Sequence, residues 1–150
     1  MKTKQIGIIA LLAIITLALI ACKEDDPPPQ PQTDPALNGT WVTSTPTPYT
    51  YKFNNGTVET TMYSKPDYKG TFTTNSSTLT TTITHIWGKV WASILEEKWY
   101  TKAETKAAAT SLTEEQVNGW FATFTETYSI NGNTLTLTSN SGVTTTFTKE

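Results

Sequence analysis

Leu135 and Leu137 stand between Thr134, Thr136 and Thr138, and this two-residue rhythm recurs along most of the chain after residue 38. Side chains that alternate direction at each step belong to an extended strand, so each such run dictates one dry face and one wet face. Tyr51 and Phe53 share a face with Lys52 opposite, and Val143, Thr145 and Phe147 share one side. Leu79 and Ile83 lie opposite Thr78, Thr80, Thr82 and Thr84. The wet positions are mostly threonine, of which the chain holds 33. Threonine is β-branched, favours strands, and keeps a face polar without charge.

Eight runs follow this rule: Gly39–Thr45, Tyr49–Phe53, Thr57–Tyr63, Lys69–Thr74, Thr78–Ile86, Phe121–Ile130, Thr134–Ser139 and Val143–Thr148. Asn54-Asn55-Gly56, Asn131-Gly132 and Ser139-Asn140-Ser141-Gly142 separate several of them, and Asn-Gly supplies the positive φ angles of tight hairpins. Pro46 and Pro48 mark a looser connection after the first run. One apolar and one threonine face is the pattern of an antiparallel sheet with one wet side. Eight such strands on short loops suit an all-β, eight-stranded antiparallel up-and-down barrel, which also removes exposed edges. A two-layer sandwich is the competing architecture.

The rhythm stops between Trp87 and Gly119, where alanine and glutamate enter. Thr101-Lys102-Ala103-Glu104 and Ser111-Leu112-Thr113-Glu114 read as capping boxes. A short helical insertion between the fifth and sixth strands is expected, with helices over 92–99 and 112–118 and a mobile link near Ala107–Thr110. Insertions of this length tend to be lids or binding elements.

The N-terminus reads differently. Lys2 and Lys4 precede an apolar run from Ile6 to Ala21, broken by Gly7 and Thr16. A basic head followed by such a run is a secretory signal, and the run is shorter than the roughly 20 residues of a comfortable membrane span. Residues 1–21 are therefore expected to be a removable signal peptide. Leu19-Ile20-Ala21-Cys22 resembles the lipobox of bacterial lipoproteins, which implies cleavage before Cys22 and lipid attachment to it. Cys22 is the single cysteine, so the fold has no intrachain disulfide and must be held by its core. Residues 22–36 hold five of the eight prolines and an acidic start, Lys23-Glu24-Asp25-Asp26. At about 3.1 Å per residue in extended geometry, this tether would hold a domain over 37–150 up to ~45 Å from the lipid. The acidic start also resembles the surface-export signal of some bacterial lipoproteins. The expected location is the cell envelope, lipid-anchored and extracytoplasmic; the sequence leaves inner and outer membrane open, with the outer membrane or cell surface as one alternative. The expected first partner is a lipid bilayer, reached through acylated Cys22.

Without Lys2 and Lys4 the chain carries nine lysines against thirteen acids, a net charge of −4, and no arginine. That balance argues against nucleic-acid and phosphate recognition. His85 is the sole histidine, so no histidine cluster can form a zinc site. Glu96 and Glu97 are adjacent, and adjacent residues diverge on a helix, so paired-carboxylate chemistry is not indicated. Ser-His-Asp triads are spatial and stay open in principle, yet no nucleophile elbow surrounds any serine. No enzymatic activity, metal or cofactor is expected.

Asn38-Gly39-Thr40-Trp41 opens the first strand, and Gly-x-Trp ahead of eight strands resembles the first signature of the lipocalin and calycin group. The stretch from Tyr128 to Thr138 and the run Trp99-Tyr100-Thr101-Lys102-Ala103-Glu104 resemble bacterial lipocalin-like domains. The resemblance implies a tryptophan packed across the barrel bottom and a small hydrophobic ligand inside. Lipocalins proper carry an arginine near the last strand that packs on this tryptophan, and here there is none. The tentative ligand-binding set comprises wall residues Trp41, Tyr51, Phe53, Phe72, Ile83, Phe124 and Tyr128 and lid residues Trp87, Trp91 and Trp99. Leu137 and Phe147 are also read as inward. The same aromatics have a plainer reading, as packing that closes the barrel ends. Two functions follow: a binder of a small apolar ligand, or a surface-displayed interaction or inhibitor module with a side-chain-filled barrel.

Overall fold

Nine strands and three short α-helices appear in the computed structural model, which describes residues 32–43 and 48–150. The expected signal peptide, Cys22, the tether as far as residue 31, and the end of the first expected strand lie outside the described residues. The strands are β1 (Gly39–Val42), β2 (Tyr49–Asn54), β3 (Thr57–Met62), β4 (Lys65–Asn75), β5 (Thr78–Trp87), β6 (Trp99–Thr101), β7 (Thr123–Asn131), β8 (Thr134–Ser139) and β9 (Thr144–Lys149). Each pairs antiparallel with its neighbours, in the order β4-β3-β2-β1-β9-β8-β7-β5-β6, and β4 also pairs with β5. The ring β1-β2-β3-β4-β5-β7-β8-β9 is therefore a closed eight-stranded barrel, not a sandwich. β6 is a short extension hung on the end of β5, with His85, Ile86 and Trp87 opposite Thr101, Tyr100 and Trp99.

The insertion carries α1 (Gly88–Trp91), α2 (Lys102–Ala108) and α3 (Glu114–Trp120). Residues 92–99 are not the expected helix. Aromatic Trp99 and Tyr100 pair with β5 instead, because strand pairing with burial outweighs the weak local helix preference. The first capping box forms as read: Thr101 Oγ1 accepts from the Glu104 amide, and the Glu104 carboxylate accepts from the Thr101 amide at 2.8 Å. The second lies two residues later than read. Thr113 caps α3, with Gln116 rather than Glu114 closing the box. Glu114 and Glu115 then occupy the first turn, where the helix dipole favours negative charge. In the stretch read as a mobile link, Ala109 is buried and its amide donates to the Thr105 carbonyl at 2.9 Å.

Two β-bulges shape the wall. Glu59 opposes Lys69 and Thr61 opposes Pro66, so Thr60 alone faces both Asp67 and Tyr68. The doubled residue turns Asp67 as well as Tyr68 out of solvent. The second bulge leaves Thr84 between the pairs Lys69–His85 and Gly70–Ile83. β4 approaches β5 so closely at Gly70 that a Cβ there would lie 2.3 Å from the Thr82 carbonyl oxygen.

One barrel end, the base, carries the hairpins Asn54–Thr57, Asn75–Thr78 and Asn131–Thr134. A 3-10 turn, Pro35–Leu37, plugs it, capped by the Asp34 side chain. Residues 32–36, read from sequence as tether, are docked here: the Thr74 amide donates to the Gln32 carbonyl at 2.8 Å, and Tyr128 Oη donates to Asp34 Oδ2 at 2.9 Å. Trp41 crosses the base fully buried, its Nε1 donating to the Leu37 carbonyl at 2.7 Å. Lys149 Nζ lies 5.0 Å from the Trp41 ring centroid, where the resemblance would place an arginine. The other end is the mouth, bearing the insertion and the ends of β1, β8 and β9. Ladder, core and base plug all fall within the unit Pro31–Glu150, so this part of the chain has what it needs to fold on its own.

Candidate ligand site at the barrel mouth

The lower barrel is packed solid. Trp41, Phe53, Phe72, Leu79 and Leu135 are at most 2% exposed, and Phe53 meets Phe72 edge-on at 5.0 Å. Toward the mouth the filling thins. A pocket of about 330 Å³ opens there between β1, β2 and β7–β9, lined by Thr43, Tyr49, Tyr51, Glu126, Leu137, Thr145 and Phe147. Strand parity puts these side chains together. Tyr49 and Tyr51 are the inward residues of β2 above Phe53, and Glu126 is the inward residue of β7 between Phe124 and Tyr128.

The pocket wall is aromatic. Tyr51 stacks on Phe53 at 5.4 Å with planes 5° apart, and Phe147 meets its ring at 5.2 Å and 84°. Tyr49 tilts against Tyr51 at 5.3 Å. Such pairs each add about 0.5–1.5 kcal/mol beyond area burial and hold the rings in place. Behind them runs a polar seam. Tyr49 Oη donates to Asp67 Oδ2 at 2.6 Å, and Tyr68 Oη donates to Tyr51 Oη at 3.3 Å. Thr60 Oγ1 accepts from the Tyr68 amide at 3.2 Å. Burial pushes the hydroxyls of Tyr49, Tyr51 and Tyr68 well above the ordinary tyrosine range, and the Asp67 carboxylate adds to the shift at Tyr49 and Tyr51.

Glu126 has no counterpart to this seam. Its Oε2 is buried and has no hydrogen-bond partner among the described residues, and burial raises its pKa. Its negative charge also raises the pKa of Tyr51 and Tyr68. The three ion pairs among the described residues lie elsewhere: Lys69–Glu59, Lys98–Glu96 and Lys106–Glu114.

The residues singled out from sequence divide into three groups. Tyr51 lines the pocket, and Leu137 and Phe147 join it there. Trp41, Phe53, Phe72 and Tyr128 are buried below it as filling, Ile83 is buried on β5 four residues nearer the mouth than Leu79, the strand partner of Glu126, and Phe124 packs edge-on against Tyr68 at 6.2 Å. Trp91 ties the insertion to the barrel, donating from Nε1 to the Asp67 carbonyl at 3.0 Å and meeting Trp120 at 6.0 Å. Trp87 and Trp99 pair edge-on at 5.2 Å on the outer face, where Lys69 Nζ lies 4.4 Å from the Trp99 ring centroid. Leu95, Tyr100, Ala109 and Val117 are the buried hydrophobic residues of the insertion, and Gly88 and Thr105 are buried with them.

Sequence reasoning passed over Glu126, Tyr49 and Asp67. A signal for Glu126 was present: it is an acid at an inward position, flanked at two-residue spacing by Phe124 and Tyr128. Asp67 had none, since a bulge turns it inward. Among the described residues no three His, Cys, Asp or Glu side chains come together to hold a metal ion, and no helix is long and apolar enough to cross a membrane.

These features define a class: a closed antiparallel barrel with a solid base, a tyrosine-walled pocket at its mouth, and a helical insertion beside that mouth. In comparisons with protein-family models, curated proteins and solved structures, nothing matches the chain.

Proposed function

We propose that the chain is a lipid-anchored, extracytoplasmic lipoprotein whose lipocalin-like barrel binds a small, largely apolar ligand at its mouth. The observation that carries the ligand reading is the mouth pocket, about 330 Å³ and walled by Tyr49, Tyr51, Leu137 and Phe147. Small-molecule sites run from roughly 300 to 1,000 Å³ with mostly apolar walls and a few placed polar groups. An eight-stranded barrel is just wide enough to fill with side chains or to hold one small ligand, and here the base is filled while the mouth is not. The solid base also favours the second reading, a displayed interaction module, and a pull-down with the barrel unit tests it.

The ligand reading is tested by calorimetry on the barrel unit, Pro31–Glu150, against a panel of fatty acids, retinoids, haem and neutral and cationic amphiphiles. Saturable heat that disappears in Leu137→Trp, with the β-sheet circular dichroism retained, is the expected result. A silent panel would overturn it. The anchor is tested with the full chain in a bacterial host: label from a radioactive fatty acid should enter the protein and be lost in Cys22→Ser.

A further inference from the structure

A buried carboxylate oxygen with no donor is unusual, because desolvating it is unfavourable unless a partner restores the lost hydrogen bonds. Among the described residues Glu126 Oε2 is such an atom, and Glu126 lines the pocket. The neighbouring acid, Asp67, has a donor in Tyr49 Oη at 2.6 Å. Glu126 thus stands out as the wall's open acceptor. Glu126 and Asp67 both raise the pKa of Tyr51, so two negative groups act on this wall residue. Among the described residues the rest of the lining is Thr43, Tyr49, Tyr51, Leu137, Thr145 and Phe147, none of them cationic. Three of these are aromatic, and aromatic faces attract cations.

Resting on the ligand-pocket reading above, we infer that the mouth pocket takes an amphiphile with a protonated amine head. Glu126 accepts the ammonium hydrogen bond, the rings of Tyr49 and Tyr51 flank the charge, and Leu137 and Phe147 receive the apolar tail. A charge-assisted hydrogen bond supplies the missing partner, and it is about twice as strong as a neutral one. A carboxylate ligand is disfavoured by like charge, and a neutral alcohol leaves the carboxylate only half compensated. With about 30 Å³ as the share of one water molecule in the liquid, a pocket of about 330 Å³ holds a tail of short to medium length, such as an octyl chain.

The test compares octylamine, 1-octanol and octanoate, matched in tail, by calorimetry on Pro31–Glu150 and its Glu126→Gln variant. Octylamine should bind the unaltered protein at least about tenfold tighter than octanol, with octanoate weakest. In Glu126→Gln that preference should collapse while octanol binding persists. Equal binding of the three, or an amine preference that survives in Glu126→Gln, overturns this inference and leaves the ligand pocket standing. No binding by any of the three, nor by the wider panel, overturns both. If Glu126→Gln does not fold, the ranking in the unaltered protein decides.

Discussion

Glu126→Leu should make the barrel more stable. The substitution removes a buried oxygen that has no donor and puts an aliphatic side chain of similar size beside Leu137 and Phe147. A buried polar atom left unsatisfied costs about 1–3 kcal/mol. The glutamate is partly exposed, so a gain near the lower end, ~1–2 kcal/mol at neutral pH, is expected. For a domain of this size that corresponds to roughly 3–6 °C in melting midpoint per kcal/mol. The gain should depend on pH in a defined direction. Burial raises the folded-state pKa of Glu126 above its ordinary 4.5. The folded barrel therefore holds that proton more tightly than the unfolded chain. The stability linked to it is complete below the unfolded value and is lost as pH rises through the folded value. Tyr51 of β2 and Tyr68 of β4, the titratable groups whose pKa the glutamate shifts, stay neutral throughout this range. Leucine should thus stabilise most at pH 7 and progressively less toward pH 4. Thermal melts by circular dichroism on Pro31–Glu150 at several pH values measure the difference. An unchanged or lowered midpoint at pH 7, or a difference independent of pH, would mean that the carboxylate has a partner in solution and that the reasoning is wrong.

Alkaline unfolding should be steep. Burial raises the hydroxyls of Tyr49, Tyr51 and Tyr68 above the ordinary 10.0, so their stabilising contribution is intact below pH 10 and drains away above it. The limiting loss is about 1.4 kcal/mol per pH unit for each tyrosine, and the phenolate absorbance contributed by these three should rise together with loss of sheet dichroism rather than before it. Gly88→Ala should loosen the insertion, because its Cβ would lie 2.6 Å from the Glu96 carbonyl oxygen and from Tyr100 Cε2. A loss of about 1–3 kcal/mol, read in denaturant titrations, is expected. Gly119→Ala, with nothing within 4 Å of its Cβ, should instead gain about 0.5–1 kcal/mol in helix α3. Trp41→Ala should cost about 3–5 kcal/mol, because it empties the base and leaves the Leu37 carbonyl without its donor.

The barrel was largely legible because its strands obey a local rule. Two-residue alternation sets which side chains face inward whatever the partners are, and the Asn55-Gly56 and Asn131-Gly132 turns lie where positive φ is observed at Asn55, Gly56 and Gly132. Illegible features depend on distant partners. β6 exists only because Trp99 and Tyr100 meet Trp87 and Ile86 across the insertion. β4 begins at Lys65 rather than Lys69, since the turn before it uses Tyr63 and Ser64 at positive φ, residues that do not announce such a turn. The pocket sits between these cases. Its apolar members, Tyr51, Leu137 and Phe147, follow from alternation, whereas the importance of Glu126 rests on the absence of a donor, which only three-dimensional placement reveals.

The docking of residues 32–37 sets the polarity of the whole device. Whatever precedes Gln32 joins the barrel at its sealed end, beside the Thr74–Gln32 hydrogen bond and the Asp34–Tyr128 clasp. A pull transmitted through Gln32 is borne first by this short clasp and reaches the strand ladder only after the clasp yields. The opening with Glu126 lies at the opposite pole of the barrel from this clasp.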